Sequence, residues 1–372
     1  MKKLLLALFL MLAFVATGCR SADNRPDPLV EGNYEDEADR YETDREREFD
    51  LEAGEHGYLA ISYIEHMQDV LPYRLAFTER ELEAAEWIVA TLEAMGFNED
   101  QIERQTFRYD TITSSWFGDT IRRIRLFEER GYYDGSVRID YSQNVILTIP
   151  GRSEQTIVIG AHYDGVRNPG ISDNAGGVAL LLESAYRMRD HDHYYTLQYV
   201  FFGAEEIALN GVFYFADQLS EAEIDNLILM VNADVILDGP YLVYAVGYVE
   251  QLPLFPMDMF RAGTFPEVSQ NALTMQIDNI ANVLNTNNDT ELIAKPRAVF
   301  SPSDHVAFLQ FTIPVVFFYG THPVEYPETF VGDVLHTPND DLDFIMDNFP
   351  GRIERAVNVF GYFLEQILIS EF

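Results

Sequence analysis

Two adjacent carboxylates, Glu205 and Glu206, follow the apolar run Tyr199-Val200-Phe201-Phe202 and the pair Gly203-Ala204. A carboxylate where a buried strand ends is costly unless it is paired or bound to a cation. Further groups sit at comparable junctions. His162 and Asp164 follow the run TIVIGA, and Asp173 lies in PGISDNAGG ahead of a helical pattern. Asp234 follows LILMVNA, and His336 lies in LHTPNDD. Imidazole and carboxylate donors together suit zinc, with cobalt or manganese as substitutes. Two histidines and three carboxylates exceed the needs of one four-coordinate ion with an open position. They suit two ions sharing a bridging carboxylate, an arrangement that spaces metals about 3.5–4 Å apart and lowers the pKa of water toward about 7. Successive side chains at a strand end point to different sides. One of Glu205 and Glu206 can therefore bind metal while the other accepts a proton from water, which a metal-bound carboxylate does poorly.

The elements that must position these groups alternate in type. Short apolar runs at Asn144–Ile149, Thr156–Ala161, Leu197–Phe202, Leu227–Asn232, Tyr241–Val246 and Ile313–Phe318 read as strands. Helical periodicity marks Glu79–Met95, Gly176–Arg189, Val212–Leu219 and Arg352–Leu368. Strands alternating with helices imply an α/β sheet covered on both faces. Ligands of such sheets bind beyond the carboxyl ends of the strands, which is where the candidate groups fall. The segment Leu252–Phe300 is too long for a plain connection. It is expected to include a helix near Leu273–Leu284 and to cover part of the cleft.

At this point the sequence resembles the M28-type zinc aminopeptidases, the cocatalytic two-zinc metallopeptidases. Six segments match in order: AHYD (161–164), SDNAGGVA (172–179), FFGAEEIALNG (201–211), VNAD (231–234), SDHVAFLQFTIP (303–314) and LHTPNDD (335–341). The resemblance covers residues 57–372. It implies a mixed, mostly parallel central β-sheet with helices on both faces, the zinc-exopeptidase or phosphorylase/hydrolase-like fold. It also implies hydrolysis of N-terminal residues from peptide substrates. By resemblance, His162 and Asp234 bind the first zinc, Glu206 and His336 the second, and Asp173 bridges. Glu205 is the general base, and Asp164 orients the His162 ring.

Departures from the family pattern are local. The family often has DNASG where this chain has Asp173-Asn174-Ala175-Gly176-Gly177, and Gly where Ala208 stands. Many members carry Tyr before the last ligand histidine, where it helps hold the oxyanion; this chain has Leu335. The donor would then be metal, or another group such as Tyr319 or Tyr326. His305 is expected to support the site rather than bind metal, and His322 to line the pocket. His56, His66, His191 and His193 are expected in solvent. Two rival classes remain. A glutaminyl-cyclase-like enzyme of this fold would use one zinc, and a non-catalytic binding member would have lost ligands. The complete ligand set together with Glu205 favours the two-zinc hydrolase.

Composition bounds the partners. The formal net charge of -36 opposes binding to nucleic acid. Lysine occurs only at 2, 3 and 295; such acid-rich, lysine-poor chains suit high salt, although a lineage bias in composition gives the same pattern. Residues 1–18 have the basic start, apolar core and small-residue end of a secretory signal, too short for a comfortable membrane span. Cys19, the single cysteine, follows Ala16-Thr17-Gly18 and resembles the lipid-bearing cysteine of bacterial lipoproteins. Export and membrane attachment through that lipid follow as expectations; the alternative is an ordinary cleaved signal. Residues 19–56 are charged and apolar-poor, and read as a flexible acidic tether.

Overall fold

The computed structural model describes residues 51–108, 120–133, 135–250, 265–322 and 333–372. The signal, the lipid-bearing cysteine and most of the tether expected above lie outside them. In chain order the elements are α1 (Tyr58–Val70), α2 (Glu79–Ala94), β1 (Ile102–Arg108), α3 (Thr120–Glu129), β2 (Tyr141–Ile149), β3 (Ser153–His162), α4 (Gly176–Met188), β4 (Tyr195–Phe202), α5 (Asn210–Gln218), α6 (Glu221–Asn226), β5 (Leu227–Ala233), β6 (Tyr241–Gly247), α7 (Ala272–Asn288), β7 (Ile293–Ala294), β8 (Val315–Thr321), α8 (Leu342–Asn348) and α9 (Arg352–Leu368). The strands make one sheet in the order β1-β2-β4-β3-β5-β8-β6-β7. The inner strands β4, β3, β5 and β8 are parallel neighbours, and antiparallel pairs flank them. The sheet is therefore mixed and mostly parallel, as expected.

Alternation along the inner strands sorts their side chains between two cores. Ile157 and Ile159 of β3, Leu229 and Val231 of β5, and Val316 and Phe318 of β8 face the helices α1, α2, α4 and α9. Val158, Met230, Val315 and Phe317 face the other way, onto α5 and the turns at Pro296–Phe300 and Asp304–Phe311. Burying apolar side chains on both faces explains why these strands read as continuous apolar runs. It also fixes the register, because a slip of one residue would exchange the two cores.

Helix α4 is pressed against the end of β5. A Cβ at Gly177 would lie 2.5 Å from the Ala233 carbonyl, so only glycine allows this approach. The approach brings the start of α4, just after Asp173, to the strand that leads into Asp234. Helix α7 is longer than expected and packs on α9 and β6. Ile277, Ala281 and Leu284 join the core beneath it. The helix expected near Leu273–Leu284 in segment 252–300 is thus present, and its apolar stripe is used by the core. Residues 251–264 of that segment lie outside the described residues.

Candidate active site

β3 ends at His162, β4 three residues before Glu205, and β5 one residue before Asp234. Because these strands run parallel, their last residues share one rim. The His162 ring is buried, with Nε2 at 3.1 Å from Asp173 Oδ1 and 3.1 Å from Asp234 Oδ1. The other Asp173 oxygen, Oδ2, lies 3.0 Å from His336 Nε2, which is also 3.0 Å from Glu206 Oε1. Two triads of donors thus meet at Asp173. Within each, the donor atoms fall within 4.8 Å of one another, a spacing that one cation per triad can occupy.

The electrostatics fit that donor set. Burial opposes protonation of both imidazoles, yet Asp234, Asp164 and Asp173 push His162 well above its ordinary value. Glu206 and Asp173 do the same for His336. Burial likewise opposes ionisation of Asp173, but hydrogen bonds from the two histidines hold its carboxyl far below the usual range. So much buried negative charge demands positive charge. Imidazolium can supply it, and so can two divalent cations with neutral imidazoles. The Glu205 carboxyl is pushed well above its usual value by burial; His162 opposes this, and Glu206 and Asp304 add to it.

Backbone clamps set the geometry. The Asp164 carboxylate accepts from the amides of Glu205 (2.8 Å) and Glu206 (3.1 Å). His162 Nδ1 is 3.2 Å from the Asp164 carbonyl and 3.5 Å from its carboxylate. Asp164 therefore meets the ring with both its carbonyl and its carboxylate, and its carboxylate also holds the glutamate turn. Ser303 donates to Asp234 Oδ2 at 2.7 Å and receives a bond from Asn232 at 2.7 Å. His305 donates to the Val299 carbonyl at 3.1 Å and stacks on Phe317, and burial lowers its pKa to about 3. Its place is structural, as expected.

Other expectations change. His193 is buried and bonded to the Tyr195 carbonyl at 2.7 Å, and burial lowers its pKa. His66 stacks on Trp87 and His56 pairs with Glu365 at 3.1 Å, so neither is simply solvated; His191 is exposed. His322 pairs with Asp333, which Arg352 also holds at 2.6 Å. Tyr319 is buried against Phe317 on β8, and Tyr326 lies outside the described residues.

Several residues at the site were not singled out from sequence. Buried Asp340 accepts from the amide of Asp173 at 3.1 Å; burial, with the Asp173 charge, raises its pKa to about 7. Its neighbourhood in LHTPNDD was the available signal. Buried Arg74 donates to the carbonyls of Leu71, Tyr163, Pro169 and Gly170, so it binds the loop between His162 and Asp173. Asp238 accepts from the amides of Val334 and Leu335 at 2.8 and 3.0 Å, which fixes the turn carrying His336. Asp304 is buried, and among the described residues its carboxylate has no hydrogen-bond partner.

A buried pair of histidine–carboxylate triads on the rim of a mixed α/β sheet defines a metallopeptidase-like centre. The model of peptidase family M28 matches residues 144–360, and the chain belongs to that family. Over 116 residues it is 35% identical to the probable lipoprotein aminopeptidase LpqL of Mycobacterium tuberculosis, covering 30% of this chain and 23% of that relative's length. The fold is similar to that of BSAP, a zinc aminopeptidase from Bacillus subtilis, at 16% identity, with a TM-score of 0.61 and coverage of 87% of this chain and 97% of that one. An Acidobacteriales bacterium glutaminyl cyclase is similar in the same way, also at 16% identity, with a TM-score of 0.56 and coverage of 87% and 98%.

Proposed function

We propose that the chain is a two-zinc aminopeptidase. The observation that supports this best is the meeting of two ligand triads at Asp173, beside a turn that carries both Glu206 and Glu205. In this reading His162 and Asp234 hold one ion, Glu206 and His336 the other, and Asp173 bridges. Zinc would supply Lewis acidity, acidifying water and polarising the scissile carbonyl; cobalt or manganese would serve in its place. Glu205 then takes a proton from the attacking water and returns it to the departing amine. Asp164 keeps the base in place through the two amides it accepts. Leu335 offers no hydroxyl, so the oxyanion would be held by the cations, by another donor such as Tyr326, or less strongly.

The deciding experiment uses the soluble form, residues 20–372. Metal content is titrated against hydrolysis of a panel of amino-acid anilides. Two zinc ions per chain, with activity lost to chelator and restored by zinc, is the expected result. One ion without hydrolysis would favour glutaminyl cyclisation, and no binding after reconstitution would favour a non-catalytic member.

We further propose that residues 1–18 direct export, that Cys19 carries lipid, and that 19–56 tether a catalytic domain spanning 57–372. The support is the sequence itself and a relative named as a lipoprotein. Among the described residues, no helix is long and apolar enough to cross a membrane. Cys19→Ser should release the protein from membranes; a variant still pelleting with them would remove the lipid anchor.

A further inference from the structure

Glu81 stands in the first turn of α2, far in sequence from the glutamate pair, and is 1% exposed. A glutamate three residues after a threonine N-cap ordinarily completes a capping box by reaching back to the N-cap amide. Thr78 does its half, accepting from the Glu81 amide at 3.3 Å. Glu81 does something else. Its Oε2 accepts from the Phe77 amide at 2.6 Å. Its Oε1 leaves the helix altogether and accepts from Ser142 Oγ at 2.7 Å and from the Ala204 amide at 2.9 Å.

Ala204 is the residue before the base, and its φ of 53 lies in the left-handed region, which disfavours a residue with a Cβ. The amides around it are all held by side chains. Gly203 donates to Asn144 Oδ1 at 3.1 Å, Ala204 to Glu81, and Glu205 and Glu206 to the two oxygens of Asp164. Four successive main-chain donors thus meet four side-chain acceptors, three of them carboxylate oxygens. Keeping Glu81 and Asp164 together in a buried place is expensive: burial, then the Asp164 charge, pushes the Glu81 carboxyl well up. Among the described residues no arginine, lysine or histidine forms an ion pair with Glu81. Helix capping alone does not require that cost, because Thr78 already caps α2.

We propose that Glu81 is a positioning residue for catalysis: by holding the Ala204 amide it fixes the strained turn that aims Glu205. This rests on the aminopeptidase reading above. The distinguishing comparison is with Thr78→Ala, which weakens the same helix end without touching the turn. Glu81→Leu removes every acceptor at similar bulk, and Glu81→Gln keeps one oxygen that can face Ala204. For Glu81→Leu the expected fall in kcat is roughly 10- to 100-fold with KM nearly unchanged, as for a misplaced catalytic group. Glu81→Gln should recover part of it, and it serves alone if the leucine variant does not fold. Thr78→Ala should lower thermal stability yet leave kcat near wild type.

Hydrogen–deuterium exchange of the peptide spanning 203–209 gives a reading independent of turnover. It should quicken in the Glu81 variants and not in Thr78→Ala, with zinc content unchanged in all. Unchanged exchange, unchanged kcat, a fall in kcat equal to that of Thr78→Ala, or loss of zinc would each overturn the proposal. A wild-type protein that binds zinc but hydrolyses nothing would instead overturn the aminopeptidase reading, and the exchange data would still decide whether Glu81 holds the turn.

Discussion

Adjacent in sequence, Glu205 and Glu206 reach different surroundings because the turn after β4 rotates one away from the other. Glu206 is buried, with Oε1 3.0 Å from His336. Glu205 is only half-buried, and among the described residues no donor reaches its carboxylate. An acceptor with free lone pairs at the rim suits a base, whereas one turned to an imidazole and Asp173 suits a cation. Glu205→Gln should therefore keep two bound zinc ions and the same melting temperature, while kcat drops by about 10²- to 10⁴-fold. Near-normal turnover would remove Glu205 from the base role. His336→Ala should lose one of the two ions and activity together; two tightly held ions in that variant would contradict the second triad. His305 makes a different prediction, about acid. Its pKa is about 3 when folded and 6.5 in the ordinary state. Between those values the unfolded chain binds the extra proton, so acidification from pH 6.5 toward 3 favours unfolding through this group. The slope approaches about 1.4 kcal/mol per pH unit. In chelator-treated protein, His305→Gln should lose that share of the acid sensitivity when unfolding midpoints are compared from pH 7 to 4.

At the level of elements, the inner strands were legible because both faces are buried. Their apolar runs are continuous and of strand rather than helix length, and the expected bounds fall within two or three residues of the observed ones. β1 was not legible, since IERQTFR is an edge strand with only Phe107 buried. Nor was α1, whose stripe of Ala60, Ile64 and Met67 is short and follows a charged tract. The site was legible where a residue's type carries its chemistry, as with the imidazoles and carboxylates at strand ends. It was not legible where the chemistry belongs to the backbone. Arg74 and Asp238 bind main-chain carbonyls and amides, and such partners leave no mark in sequence spacing. Asp238 tests this point. The turn it holds includes His336, whose φ of 56 is itself unfavourable. Asp238→Ala strands one buried and one part-buried amide and should cost about 2–4 kcal/mol of stability by denaturant unfolding. The same change should weaken binding of one zinc ion more than the other. Equal weakening of both would mean that the turn does not serve one triad in particular.

For the whole molecule, the dominant fact is a formal net charge of -36 with 61 acidic residues against 25 lysines and arginines. Self-repulsion of that size works against the compact state. The arginines are partly committed inside the fold: Arg74 and Arg352 are buried, and Arg355 nearly so. They therefore neutralise less of the surface than their number suggests. Added salt should stabilise the protein by screening, and most of that gain should come early, because the Debye length is already about 8 Å at 0.15 M and about 3 Å at 1 M. Sodium chloride from 0.05 to 0.5 M is expected to raise the unfolding midpoint by several degrees. Continued stabilisation from 1 to 3 M would exceed what screening can give and would indicate a surface adapted to high salt, in keeping with the near absence of lysine. A plateau above 0.5 M would leave simple repulsion as the whole effect. A flat profile from the start would mean that the acidic residues are spread too evenly for their repulsion to matter, and the composition would then reflect lineage bias alone.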